Sequence, residues 1–233
     1  MRKIFLGPPG SGKGTYSKRI APFWGIPHIS TGDLFREHLK NQTEIGKQVQ
    51  DFLNSGKLVP DEITIEILKQ RITQEDCIKG FILDGFPRTI PQAKALAKIS
   101  NIDVVTNLNI PEEILIEKAC ARRVCKDCGD IYNLADVNQN GIIMPGMFPK
   151  EEGKCDKCGG ELIQRKDDNE ATIKERLEIY KRETEPLINF YKKQGILRDI
   201  YIRFGAEKMI PEILNSLSDL AEKYNLPTDY KLE

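Results

Sequence analysis

The chain has 233 residues, 39% hydrophobic and 30% charged, which are the proportions of an ordinary globular protein with one α/β domain and room for insertions. Its 35 Lys and Arg residues balance 35 Asp and Glu, so no net charge draws it to nucleic acid or to a membrane surface, and any anion site must be built locally. No apolar run approaches the roughly 20 residues that span a bilayer; a strand starting at Lys3 leaves no room for a signal peptide, which predicts a cytoplasmic protein.

The first predicted element is a strand from Lys3 to Leu6. It runs into Gly7-Pro8-Pro9-Gly10-Ser11-Gly12-Lys13-Gly14-Thr15 and then a helical segment. Strand, glycine loop and helix in that order form a phosphate-binding P-loop. Glycines let backbone N–H groups converge on an anion, and the helix aims its positive dipole end at the same point. Gly10, Ser11, Gly12, Lys13, Gly14 and Thr15 are therefore the predicted phosphate cradle, with the Lys13 ammonium reaching the outer phosphates. The place after the lysine, usually a Ser or Thr that ligates Mg²⁺, is Gly14. The metal is accordingly expected to be held by phosphate oxygens and water.

A short strand follows at His28-Ile29, and residues 31 to about 59 read as short helices with no strand. Ile63, Ile67 and Leu68 then share one helical face. Gly80-Phe81-Ile82-Leu83-Asp84 reads as a buried parallel strand ending in a carboxylate, where open α/β sheets place their ligands. Asp84 there can orient Mg²⁺ or its waters beside the P-loop. Gly85-Phe86-Pro87-Arg88-Thr89 continues the strand, so a guanidinium suited to phosphate directly follows the acid. Further strands are predicted at Val104 to Leu108 and Ile196 to Ile202, with a helix carrying Ile114, Leu115 and Lys118 between them. This alternation predicts βαβ units and a parallel sheet. The tail after Asn225 is predicted to fray.

Residues 124–164 break the alternation. Cys125-Lys126-Asp127-Cys128-Gly129 and Cys155-Asp156-Lys157-Cys158-Gly159 are two knuckles that can converge on one tetrahedral S₄ site suited to Zn²⁺. Free thiols or two disulfides are the other reading, disfavoured in a reducing compartment. Four protein ligands leave no open position, so such a zinc is structural. Cys77 and Cys120 lack partners and read as small core residues. An extra loop is expected near residues 135–150. Within it, Asp136-Val137-Asn138-Gln139-Asn140-Gly141 imitates the start of a calcium loop, but the acid needed at its twelfth place is Met147, so a plain Asx/Gly turn is expected.

Five motifs, GPPGSGKGT at 7–15, STGD at 30–33, LVPDE at 58–62, DGFPRT at 84–89 and RKDD at 165–168, make the chain resemble adenylate kinase over essentially its whole length. The resemblance implies the P-loop nucleoside monophosphate kinase fold: a central five-stranded parallel sheet flanked by helices, a helical AMP-binding insertion and a zinc-ribbon-like lid. It divides the chain into a core (1–29, 60–123 and 165–233), an AMP-binding domain (30–59) and a lid (124–164). It implies MgATP and AMP as substrates, ADP as product and a monomer, with no nucleic-acid or membrane partner. On the ATP side it assigns the P-loop residues with Lys118, Arg122 and Tyr132. On the AMP side it assigns Thr31, Arg36, Lys57, Val59, Gly85, Arg88 and Gln92, the last to the adenine. Lys13, Asp84, Arg88, Arg122, Arg165 and Arg176 are the implied catalytic set, Arg165 and Arg176 also facing AMP.

Asp168 is expected to cap the helix that projects Arg176. Lys118 stands where the family often has an arginine stacked on the ATP base, and lysine stacks less well. A UMP or CMP acceptor, or a GTP donor, remains the alternative within the kinases. A nucleic-acid-binding zinc ribbon would need a basic, aromatic face. The lid instead mixes acids with lysines and carries only Tyr132 and Phe148 as aromatics.

Overall fold

The computed structural model describes residues 1–230. In chain order the elements are β1 (Arg2–Leu6), α1 (Lys13–Phe23), β2 (His28–Ser30), α2 (Thr31–Lys40), α3 (Glu44–Ser55), α4 (Asp61–Ile72), β3 (Phe81–Asp84), α5 (Ile90–Ile99), β4 (Val104–Asn109) and α6 (Glu112–Cys120). There follow β5 (Arg122–Cys125), β6 (Ile131–Asn133), β7 (Val137–Gln139), β8 (Ile142–Met144), β9 (Leu162–Ile163), α7 (Glu170–Ile179), α8 (Pro186–Lys193), β10 (Leu197–Tyr201), α9 (Ala206–Asn215) and α10 (Ser218–Tyr224).

The main sheet is parallel throughout, in the order β10-β4-β1-β3-β2. Alternation along β1 sends Ile4 and Leu6 to one face, among Leu83, Val105, Leu96 and Leu187, and Phe5 to the other, among Tyr16, Ile20, Leu108 and Ile213. Both faces are thus buried, as a parallel sheet requires. From β1 the chain builds β2 and β3 on one side and then crosses to β4 on the other, and the crevice at such a switch point is where α/β sheets bind ligands. Register pairs Phe5 with Asp84, which carries the P-loop and the acid to the same edge.

β1 contains one residue that its surroundings oppose. Lys3 is fully buried; its Nζ donates to Thr106 Oγ1 and lies 4.3 Å from the centre of the Phe5 ring. Burial drives its pKa well below the ordinary lysine value.

Residues 124–164 make two separate structures. β5 pairs antiparallel with β6 and β9 into a small ribbon whose own cluster is Cys125, Tyr132 and Cys155. β7 and β8 form a hairpin through Asn140 and Gly141, both with left-handed φ of 53° and 76°, the pattern of a type I′ turn. The expected Asx/Gly turn is there, but the expected extra loop is a hairpin. Ala135, Val137, Ile142 and Met144 are buried in the same cluster as Ile200, Ile202 and Met209 of the main body. Each such large side chain contributes about 1.5–3 kcal/mol on burial, so the hairpin takes from the main core what its own length cannot supply.

The described part of the tail also differs from the expected fraying, while residues 231–233, on which the same expectation falls, lie outside the described residues. Trp24 Nε1 donates to Pro227 O at 3.0 Å, and the Tyr230 ring meets Phe23 edge-on at 5.2 Å, so residues 226–230 are packed down. A tryptophan and a phenylalanine in α1 and its cap offer more buried area than fraying recovers in entropy.

A lysine whose pKa falls on folding binds more protons in the unfolded chain, so this group's penalty shrinks as pH rises toward its ordinary value. Lys3→Met is therefore expected to stabilise the protein near pH 7 by about 1 kcal/mol or more, raising Tm by about 2–4 °C. Thermal melts from pH 7 to 10 check this, with the gain narrowing at the alkaline end.

Candidate active site

The P-loop ends at Gly12, whose φ of 89° turns the chain into α1. No side chain caps that helix and no acid lies in its first turn, so its N–H groups face the cleft free for an anion. Lys13 Nζ folds back to donate to Gly7 O at 2.7 Å and Pro8 O at 2.9 Å. A Cβ on Gly14 would lie 3.2 Å from Asp84 Oδ2 and 3.3 Å from Ile131 Cδ1. This explains the missing Ser or Thr: any side chain there would press into the Asp84 carboxylate below and the ribbon above. His28 Nε2 lies 3.5 Å from the same Oδ2. Burial alone would raise the Asp84 pKa, but His28 and the Lys13 ammonium outweigh it and hold the carboxyl below its usual range.

The predicted arginines meet in this one cleft. Arg122 forks onto Asp168, with Nε 2.9 Å from Oδ2 and Nη2 on Oδ1. Asp168 is fully buried, so it is not the expected helix cap; Asn169 takes that place, accepting from Thr172 N at 3.0 Å. The physical reason is charge: a carboxylate with a guanidinium beside it gains more from the fork than from one backbone N–H. Arg176 pairs with Asp167 at 2.7 Å. Asp33 holds Arg36 at 2.6 Å and Arg165 at 3.5 Å. Arg88 Nε donates to Gly85 O at 2.8 Å. Burial and the nearby Arg88, Arg176 and Arg122 guanidiniums bring the Lys13 pKa to about 7 against the pull of Asp84. Burial likewise lowers Arg165 and Arg176. The cleft carries more positive charge than its own acids neutralise.

On one side of the P-loop, the buried Thr31 donates its hydroxyl to Gly85 O at 2.9 Å. Gln92 Oε1 accepts from Arg88 N, and its Nε2 donates to Asp61 Oδ1, both at 2.7 Å. Asp61 also accepts from Thr89 at 2.9 Å. It is a bracing residue not singled out in the sequence, although it lies inside LVPDE. Lys57 at the rim, buried Val59 and Gly85 line this half.

On the other side lie Lys118, half-buried with a lowered pKa, and Met144, Met147 and Phe204. Tyr132 departs from expectation. It does not line the cleft; its hydroxyl donates to Cys155 Sγ at 3.7 Å and accepts from Asp156 N at 2.7 Å. Strand alternation in β6 turns Tyr132 away from the side taken by Ile131 and Asn133, both of which line the cleft.

The sulfur atoms of Cys125, Cys128, Cys155 and Cys158 lie within 4.8 Å of one another. Cys125 and Cys158 are 3.5 Å apart, and Cys128 and Cys155 3.6 Å, far beyond a disulfide bond of ~2.05 Å. A tetrahedron with Zn–S of ~2.3 Å has edges of ~3.8 Å, so the donor set and spacing fit zinc. Burial opposes charge on Cys155, but the Tyr132 hydroxyl and backbone N–H groups of the knuckle win and hold this thiol at about 6. Cys77 is buried and Cys120 half-buried, both outside the cluster.

The adenylate kinase family model matches residues 5–196. The adenylate kinase of Archaeoglobus fulgidus is 51% identical over 205 residues, covering 86% of this chain and 90% of that protein. Those of Caldicellulosiruptor bescii and of Clostridium botulinum strain Loch Maree are each 47% identical over 225 residues. They cover 93% and 94% of this chain and 99% and 98% of their own lengths.

A polyphosphate beside Lys13 restores its ammonium form, so binding near pH 8 is expected to take up roughly one proton. Calorimetry of ATP binding in buffers of different ionisation enthalpy measures this directly. The uptake is expected in the wild type and absent in Lys13→Met.

Proposed function

The chain belongs to the adenylate kinase family and is an ATP:AMP phosphotransferase; we propose that the cleft performs the transfer in line, from MgATP to an AMP phosphate oxygen, with no covalent intermediate. The observation that carries this reading is the gathering of Lys13, Arg88, Arg122, Arg165 and Arg176 around one cleft that runs from Lys57, Val59 and Gln92 on one side of the P-loop to Lys118 and Phe204 on the other.

Phosphoryl transfer asks the protein for position and charge, since the transition state spreads negative charge over the equatorial oxygens. Lys13 and the P-loop N–H groups hold the ATP phosphates, and Arg88 and Arg36 hold the AMP phosphate. Arg122, Arg165 and Arg176 close over the group in transit. Each of these is already steered by a carboxylate or a backbone oxygen, so little side-chain freedom is left to lose on binding. Mg²⁺ enters as part of MgATP, and Asp84 is the carboxylate placed to orient its waters. Thr31, Lys57, Val59 and Gly85 shape the AMP recess. Gln92 acts there by holding Arg88 N and Asp61, and its remaining amide hydrogen is the donor available to an adenine. Lys118 faces the ATP base.

We assign motion to residues 30–59 and to the ribbon within 124–164, which shield the reacting phosphates from water when closed. The four cysteines hold a structural Zn²⁺ that folds the ribbon, and the protein works as a cytoplasmic monomer. Among the described residues, no helix is long and apolar enough to cross a membrane.

A coupled assay of ADP formation from ATP and AMP, run beside metal analysis and a panel of UMP, CMP and GTP, tests the reading; folded protein that makes no ADP would overturn it. In the same assay Arg88→Ala is expected to lower turnover by about 10³-fold or more, the scale on which one well-placed arginine acts. A loss of less than ~10-fold would remove Arg88 from the set. Stripping the metal with a thiol-compatible chelator is expected to release one zinc per chain and to unfold the ribbon. Proteolysis then cuts within 126–160 while the sheet stays intact.

A further inference from the structure

The insertion between β5 and β9 holds to the body in two different ways. Its cysteine ribbon keeps a separate small cluster, meets α1 lightly through Lys18 Nζ on Gly129 O and Ile131 over Gly14, and is otherwise bonded at its base, where Asn133 Nδ2 donates to Lys118 O, Leu134 N to Ala121 O, and Asn133 bridges Met147. Its hairpin instead puts Val137, Ile142 and Met144 into the main hydrophobic cluster, each less than a tenth exposed. Ile143 N donates to Arg203 O at 2.7 Å, in a bridge that runs parallel to Phe204. Next to it, Pro145 sits so close to Gly205 that a Cβ there would lie 3.2 Å from the proline ring. Met144 and Pro145 face the cleft together with Lys118, Phe204 and Ala206.

From this we propose that the β7–β8 hairpin is a fixed part of the catalytic core rather than of the moving lid, and that Met144 and Pro145 are the stationary far wall of the donor-base recess. The proposal rests on the reading above, in which the ATP base lies at the Lys118 end. Buried apolar side chains cannot leave the core as cheaply as one lysine and one isoleucine leave α1, so motion concentrates at the knuckle end of the ribbon, which can swing on the bonded base at Asn133 and Leu134. The wall is then in place before ATP arrives, and base selection on the donor side comes from the fit of Met144 and Pro145 as well as from Lys118. The hairpin residues are positioning residues: they shape the recess and take no part in the transfer.

Hydrogen exchange on the full-length, zinc-loaded protein without nucleotide tests the first half. The Ile143 amide is expected to exchange within ~10-fold of the β10 amides and to change by less than ~3-fold when a non-hydrolysable ATP analogue saturates the site. If that amide exchanges freely without nucleotide and slows more than ~10-fold only on binding, the hairpin belongs to the moving lid and the proposal fails. Steady-state kinetics of the double variant Val137→Asn, Ile142→Asn test the second half. KM for ATP is expected to rise about 10-fold with KM for AMP within ~2-fold, since only one recess loses its wall. Equal changes in both constants, or none, would overturn it. A wild type that forms no ADP would defeat the activity reading alone, because the exchange result stands without turnover.

Discussion

The structure turns on unbalanced positive charge in a sheltered place. Lys13, Arg36, Arg88, Arg122, Arg165 and Arg176 face one cleft, and the acids beside them are Asp33, Asp84, Asp167 and Asp168. Such a group is stable only while each cation keeps a partner or enough water. The partners do more than neutralise. The Asp168 fork on Arg122 and the Asp167 contact on Arg176 fix the directions from which guanidiniums reach the centre. The excess charge is left for phosphates to complete; together with burial, the larger cause, it brings the Lys13 pKa to about 7 before they arrive.

Around that charge, space is as closely set as electrostatics. Gly14 leaves room for the Asp84 carboxylate under the P-loop and for Ile131 above it. In the proposed reading the absent hydroxyl marks a different division of labour, with an acid from the neighbouring strand set to meet the metal's waters. Gln92 shows the same economy of position. By bonding Arg88 N and Asp61 it ties the loop carrying Arg88 to the start of α4. A change at Gln92 thus reaches the position of Arg88 as well as the recess that Gln92 itself lines.

The insertion after β5 solves the problem of a short segment with little apolar content in two ways at once. One half gathers four thiols and a buried tyrosine around a point that fits a metal. The other half contributes its few large side chains to a core that exists without it. The proposed moving lid and stationary wall can share one insertion because each half has its own source of stability.

Much of this was legible in the sequence because it is local. The P-loop, DGFPRT and both cysteine knuckles are runs of a few residues whose chemistry depends on spacing along the chain, and strand periodicity announced the parallel sheet around them. What tertiary structure alone decided are choices among distant partners. Asp168 could cap α7 or pair with Arg122, and only the burial of both favours the pair. Tyr132 could face ATP or the cysteines, and the pleat of β6, set by its pairing with β5, turned it inward. The hairpin and the last residues carry apolar side chains whose destination, the cluster formed by β4, β10, α1 and α9, is assembled from segments far away in the chain. Burial free energy belongs to that assembled surface, and no local pattern encodes where the surface will be.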